Sequence, residues 1–202
     1  MKYIQFFVIL LLFLSNISWS NDGLMLFAGP SEGRTYLYNI SGGGVLEVTG
    51  LPSHDLSVKK VEEVVYLERL ALPKGDGPPH TKYSLYLSNN SLIKKNSKGE
   101  MVLLKGPLKP GAEKWKTIGQ IQEKGRTHSI TFLCGIIDVY RKALFDKDRL
   151  VVTVKCKMKR GDLSTVIVAK YAEGIGLLEK STESMLDGKS FGVQMIVLSE
   201  IQ

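Results

Sequence analysis

The chain has 202 residues, with 27 Lys and Arg against 20 Asp and Glu for a formal charge of +7, and it contains only two Cys and three His. This length suits one domain of ordinary size whose core folds without metals or many disulfides. The basic surplus favours anionic surroundings, but no block of like charges forms a binding tail. Pairs such as Lys59-Lys60 and Lys94-Lys95 read as solvated faces, so nucleic acid is not an expected partner.

At the N-terminus Lys2 supplies a positive charge, Ile4 to Leu14 form an almost unbroken apolar stretch, and Ser18-Trp19-Ser20 places small residues where a signal peptidase reads. This is the pattern of a secretory signal over residues 1–20, cleaved before Asn21. The competing reading is a membrane anchor, but the apolar run falls short of the ~20 residues that span a bilayer and no second run follows it. No Cys stands at the expected cleavage site, so the usual bacterial lipoprotein anchor is not expected. Removing 20 of the 202 residues leaves 182, and losing Lys2 lowers the charge to +6. The expectation is one β-rich domain over residues 21–202, exported to the periplasm or secreted, with no transmembrane anchor after cleavage.

Along that domain apolar and polar residues alternate with a period of two, which puts successive side chains on opposite faces of a sheet. In chain order the predicted strands are Leu24 to Ala28, Arg34 to Asn39, Val45 to Thr49, Val61 to Leu72, Lys82 to Ser88, Glu100 to Lys105, Ile130 to Ile136, Val151 to Met158, Thr165 to Tyr171, Ile175 to Lys180 and Phe191 to Ile201. In the clearest of them Val152, Val154, Cys156 and Met158 point one way, and Thr153, Lys155 and Lys157 the other. Between strands lie turn formers: Ser41-Gly42-Gly43-Gly44, Pro73 to His80, Asn89-Asn90-Ser91, Asp146-Lys147-Asp148 and Arg160-Gly161-Asp162. Val58 to Leu70 also suits a helix, since Glu62, Glu63, Glu68 and Arg69 are good helix formers. The fold class is all-β and mainly antiparallel, a single β-sandwich or a partly open β-barrel.

A weak internal repeat divides the chain near residues 24–100 and 101–181. Gly29-Pro30, Gly33 and Tyr36 are echoed by Gly106-Pro107, Gly111 and Trp115. Four ordered elements, FAGPSEGRTYLY (residues 27–38), PLKPGAEKW (107–115), TFLCGIIDV (131–139) and YAEGIGLLE (171–179), resemble the landmarks of the TapB-like family of secreted bacterial β-domains. In the last of these, the most specific, Tyr171 ends a strand, Gly174 and Gly176 bracket a turn, and Leu177 and Leu178 begin the returning strand. The resemblance covers residues 24 to 181 and implies a β-rich exported or outer-membrane-associated domain. The chain departs from the family in having Tyr36 where Trp is common and in lacking the lipoprotein Cys of many exported relatives.

The chemistry-bearing residues do not assemble into a motif. His54, His80 and His128 are isolated, and no His, Cys or carboxylate cluster has metal-ligand spacing, so no metal or cofactor is expected. Ser57 and Ser91 each precede a Lys by three positions, without the further motifs of an acylating Ser-Lys site. Gly188-Lys189-Ser190 resembles the end of a phosphate loop, but Glu183 stands where the first Gly belongs. Asn39-Ile40-Ser41 and Asn89-Asn90-Ser91 are glycosylation sequons, which matter only in a eukaryotic source. Cys134 and Cys156 share the apolar phase of two strands. Either they pair in the core after export, or they pack as buried thiols; their separation is too wide for a CxxC redox pair. Tyr36, Tyr38 and Trp115 are candidates to line a ligand cavity or, alternatively, to plug the core. The leading expectation is a non-enzymatic exported β-domain that binds an envelope protein or an apolar ligand. The alternative is a hydrolase of envelope polymer using carboxylates such as Glu68 and Asp138, which would have to stand roughly 5–9 Å apart.

Overall fold

The computed structural model describes residues 22–30, 33–51, 63–71, 81–97, 99–123 and 126–202. The signal segment 1–20, the Pro73 to His80 turn, His54, Ser57 and the side chain of His128 lie outside the described residues.

The alternating pattern produces twelve strands: β1 (Thr35–Ile40), β2 (Val45–Gly50), β3 (Glu63–Ala71), β4 (Thr81–Ser88), β5 (Ser91–Asn96), β6 (Gly99–Lys105), β7 (Trp115–Glu123), β8 (Arg126–Leu144), β9 (Lys147–Arg160), β10 (Leu163–Ala172), β11 (Gly176–Leu186) and β12 (Lys189–Ile201). All belong to one antiparallel sheet in the order β6-β5-β4-β3-β2-β1-β12-β11-β10-β9-β8-β7, curled into a nearly closed barrel. Of the two architectures the pattern allowed, the barrel is the one adopted. Two six-stranded meanders, β1–β6 and β7–β12, are joined where the first and last strands pair, Tyr36 opposite Ile201 and Ile40 opposite Ile196. The helical reading of Val58 to Leu70 does not hold over its described part. Residues from Glu63 onward pair on both sides, with β2 and β4, and that ladder outweighs the helix propensity of Glu68 and Arg69.

Leu24 to Ala28 is not a strand. A short helix α1 (Asp22–Met25) leads into turns in which the Phe27 amide donates to the Leu24 carbonyl and the Ala28 amide to the Met25 carbonyl. The cause lies in the side chains. Leu24 and Phe27, three apart, are both buried in the core, which a helical turn allows and a strand of period two does not. No helix among the described residues is long and apolar enough to cross a membrane.

This N-terminal segment lies against the turn between β10 and β11. The Gly174 amide donates to the Leu26 carbonyl at 2.6 Å, and Arg149 donates from Nη1 to the Glu173 carbonyl at 2.7 Å. Gly174 and Gly176 both take positive φ, +70° and +91°. Gly176 has a second reason to lack a side chain: a Cβ there would stand 2.6 Å from the Gly29 amide nitrogen. Leu177 and Leu178, which follow, are half-buried. Cys134 and Cys156 are direct partners across β8 and β9, with Cα atoms 4.0 Å apart and their sulfurs bridged.

The sheet does not close by a backbone ladder. Its edges, β6 and β7, are held by side chains instead: the Val102 amide donates to Thr117 Oγ1 at 2.9 Å, and Trp115 Nε1 donates to the Val102 carbonyl at 3.3 Å. Thr117 is buried, and this bond satisfies an edge amide that a barrel seam would otherwise leave unpaired.

Candidate functional site

Inside the barrel is a cavity of about 550 Å³. Inward positions of nearly every strand supply its wall. Leu46, Val48, Leu85, Leu103 and Ile196 make it apolar, and Phe27 with the 28–30 segment closes one side. The volume falls within the roughly 300–1,000 Å³ typical of small-molecule sites. Gly99 to Met101 on β6 and Ile118 and Gly119 on β7 also line it, so the cavity reaches the unpaired seam. Met101 and Ile118 are exposed there, giving the opening an apolar rim.

Against this apolar wall stands a polar cluster. Glu68 on β3 shares its face with Tyr66, and Lys94 on β5 shares its face with Leu92, so period-two alternation carries both inward. Lys94 Nζ meets Glu68 Oε1 at 2.8 Å and sits 3.6 Å from the centroid of the Tyr83 ring. Tyr83 in turn stacks on Tyr66, with centroids 5.1 Å apart and planes inclined by 21°. Such a cation–π contact contributes roughly 0.5–2 kcal/mol and the ring pair about 0.5–1.5 kcal/mol.

Lys180 reaches the cavity by a different route. On a regular strand, Leu177 and Lys180, three apart, would face opposite sides. A bulge between Lys170 and Tyr171 pairs Tyr171 with Leu177 and Lys170 with Glu179, leaving Leu178 as the extra residue on β11. Beyond the bulge the phase is reversed. Glu179 turns outward to meet Lys170 at 2.9 Å, while Lys180 and Leu177 both line the cavity. Among the described residues Lys180 has no hydrogen-bond or ion-pair partner. Burial holds its ammonium below the ordinary lysine range; the charge on Lys94 pushes the same way and Glu68 opposes it.

The tyrosines around the cluster stay protonated. Burial raises Tyr38 and Tyr83 far above the usual phenol value, with the carboxylate of Glu68 adding to both, and pushes Tyr171 up to about 12. Tyr38 also donates to the Leu177 carbonyl at 3.0 Å.

Of the aromatic residues singled out from the sequence, Tyr38 lines the cavity. Tyr36 and Trp115 do not line it but are buried, the latter at the seam. Tyr171, Gly174 and Gly176 form the turn that receives the N-terminal segment, and Tyr171 and Leu177 also line the cavity. Lys94 and Lys95, taken together as a solvated pair, separate: Lys95 is exposed, whereas Lys94 faces the interior. The warning signal was its phase, since Lys94 falls in step with Leu92. Lys180 carried no such signal, because the Leu178 bulge is not written in the alternation. Of the two carboxylates considered for hydrolysis, Glu68 is tied to Lys94 inside the barrel, while Asp138 is exposed on β8 and does not line the cavity. Ser91 Oγ donates to the Asn89 carbonyl at 3.2 Å. Gly188, the first residue of the apparent phosphate-loop remnant, makes with Asp187 the positive-φ turn between β11 and β12.

The molecule is therefore an antiparallel barrel whose interior holds an amphipathic cavity open at an unpaired seam. Two solved structures share the fold. A candidate exported protein with a YmcC-like fold from Bacteroides fragilis NCTC 9343 matches with a TM-score of 0.59 and 14% identity, over 87% of this chain and 99% of that one. A candidate lipoprotein from Parabacteroides distasonis ATCC 8503 matches with a TM-score of 0.55 and 11% identity, over 87% and 98%. At such identities the likeness establishes a common fold. No protein-family model matches the sequence, and no curated protein matches it.

Proposed function

We propose that this chain is an exported, non-enzymatic protein of the bacterial cell envelope that holds an apolar small molecule in its barrel. The observation that carries the reading is the cavity of about 550 Å³ with apolar walls and a mouth at the β6–β7 seam. The signal pattern of residues 1–20 supports export. So does the fold held in common with a candidate exported protein and a candidate lipoprotein. The TapB-like family assignment belongs to the same proposal; two of its landmarks, residues 27–38 and 171–179, contribute Phe27, Tyr38, Tyr171 and Leu177 to the cavity wall.

The test is titration of the purified exported protein with the neutral fluorophore N-phenyl-1-naphthylamine, alongside native mass spectrometry for a co-purified apolar molecule. Saturable one-to-one binding, lost in a Leu46→Trp variant that fills the cavity but melts like the parent, is the expected result. Absence of saturable binding would overturn the reading. N-terminal sequencing should find Asn21 first, and Met1 on exported protein would remove the argument for a soluble product. A second reading, an envelope protein as partner, is favoured by the outer face of β12, where Phe191, Val193, Met195 and Val197 form an exposed apolar stripe. Serine substitutions at Phe191 and Val193 that abolish crosslinking in the envelope, with fluorophore binding intact, would support it.

A further inference from the structure

The cavity wall carries one cation more than its buried cluster can neutralise. Lys94 is committed to Glu68 at 2.8 Å. Glu100, the other carboxylate among the lining residues, lies at the mouth with its side chain half exposed and 3.9 Å from Lys95. Lys180 is left facing the cavity with no hydrogen-bond or ion-pair partner among the described residues. An ammonium in such surroundings is costly unless an anion joins it. Burial and the neighbouring Lys94 both weaken its hold on the proton, Glu68 opposes them, and an anion alongside would strengthen it.

The positioning is built rather than incidental. Without the Leu178 bulge Lys180 would point to solvent on the outer face, as Glu179 does. Beyond it the cavity is lined by Leu46, Val48, Leu85 and Ile196, which offer a charged ligand no further polar partner but suit an aliphatic body. Tyr38 and Tyr171, both protonated, flank the same space.

We propose that Lys180 is the head-group anchor of the cavity, and that the ligand is an amphiphile with an acidic head, carboxylate or phosphate, on an aliphatic body. This rests on the reading of the cavity as a ligand site and adds to it the class of ligand.

The experiment compares dodecanoate, dodecyl phosphate and dodecanol as displacers of N-phenyl-1-naphthylamine from the parent, Lys180→Gln and Lys180→Arg. Lys180→Gln should not lower the urea midpoint, since Lys180 makes no bond in the ligand-free fold and the replacement removes an unpaired charge, and Lys180→Arg should melt like the parent. At least one of the two acids should bind the parent about tenfold or more tightly than dodecanol, as one charge-assisted contact provides. Which acid it is identifies the head group. Lys180→Gln should bring that acid down to the level of dodecanol while leaving dodecanol unchanged, and Lys180→Arg should recover most of the preference. Equal binding of acids and alcohol to the parent would overturn the proposal and leave the cavity reading standing, as would a preference that survives in Lys180→Gln. Failure of all three ligands and of the fluorophore would overturn the cavity reading itself.

Discussion

Replacing Gly176 by Ala tests whether the N-terminal segment is packed into the barrel as described. Gly176 opens β11 at φ +91°, and a Cβ there would stand 2.6 Å from the Gly29 nitrogen and 3.2 Å from the Ala28 carbonyl carbon. Non-bonded carbons rest about 3.5–4.0 Å apart, so the 28–29 backbone would have to lift away. Because those are backbone atoms, no side-chain rotation relieves the clash. Two costs add: roughly 1–3 kcal/mol for a non-Gly residue at a strained backbone position and about 1–3 kcal/mol for overpacking. The sum of about 2–6 kcal/mol is a large part of the roughly 5–15 kcal/mol that holds a domain together. Gly161 supplies the control. It has φ +59°, and nothing lies within 4 Å of a Cβ built on it, so Gly161→Ala carries only the left-handed penalty of about 1–2 kcal/mol. In urea melts with a slope of about 2 kcal/mol per molar, Gly176→Ala should fall below Gly161→Ala by roughly 0.5–2 M. If the two curves overlay, the segment does not lie against β11 and the cavity lacks the wall that Phe27 provides.

Three further outcomes are expected. Denatured but unreduced protein should show no reactive thiol at Cys134 or Cys156, and reduction should cost about 3 kcal/mol for a closed loop of this size, their separation being 22 residues; labelling of both in unreduced protein would count against the bridge. Tyr36, Tyr38, Tyr66, Tyr83 and Tyr171 all have raised folded values, so the unfolded chain loses these protons first. Stability should therefore be intact below about pH 10 and decline as pH climbs from there toward the value of about 12 of Tyr171, and a urea midpoint flat across that range would refute it. Thr117→Val removes the acceptor of the Val102 amide and should cost about 1–3 kcal/mol while speeding hydrogen exchange at Val102, whereas unchanged exchange would show that the seam is not held there.

Much of the fold was legible because a sheet with one dry face writes its period into the chain. Tyr83, Leu85 and Leu87, or Ile130, Phe132, Cys134 and Ile136, announce strands without any long-range information. The failures have physical causes. Trp115 to Glu123 alternates weakly because β7 is an edge whose outer and inner positions mix Ile118 with Thr117 and Gly119. Leu24 and Phe27 read as a strand because apolar residues there serve packing inside the barrel rather than sheet pairing. The cavity cluster was the least legible part. A Lys within an alternating strand looks solvated unless its phase is checked against its neighbours, as for Lys94, and no phase argument survives a bulge, as for Lys180.

The pairing of β1 with β12 also governs how the molecule can be assembled. Leu37 and Ser199, bonded through the Ser199 hydroxyl, are 162 positions apart. Closing a loop of that size costs about 3 kcal/mol more than closing a four-residue hairpin, and none of the gain arrives before the last strand does. During synthesis the first meander must therefore wait with the free edge of β1 exposed, the kind of edge that recruits other chains into aggregates. The second meander can supply the missing neighbour only once residue 201 is free. Completion of the barrel is thus deferred until the last strand is in place, and any factor that escorts the chain would have its greatest effect by shielding one strand, Thr35–Ile40.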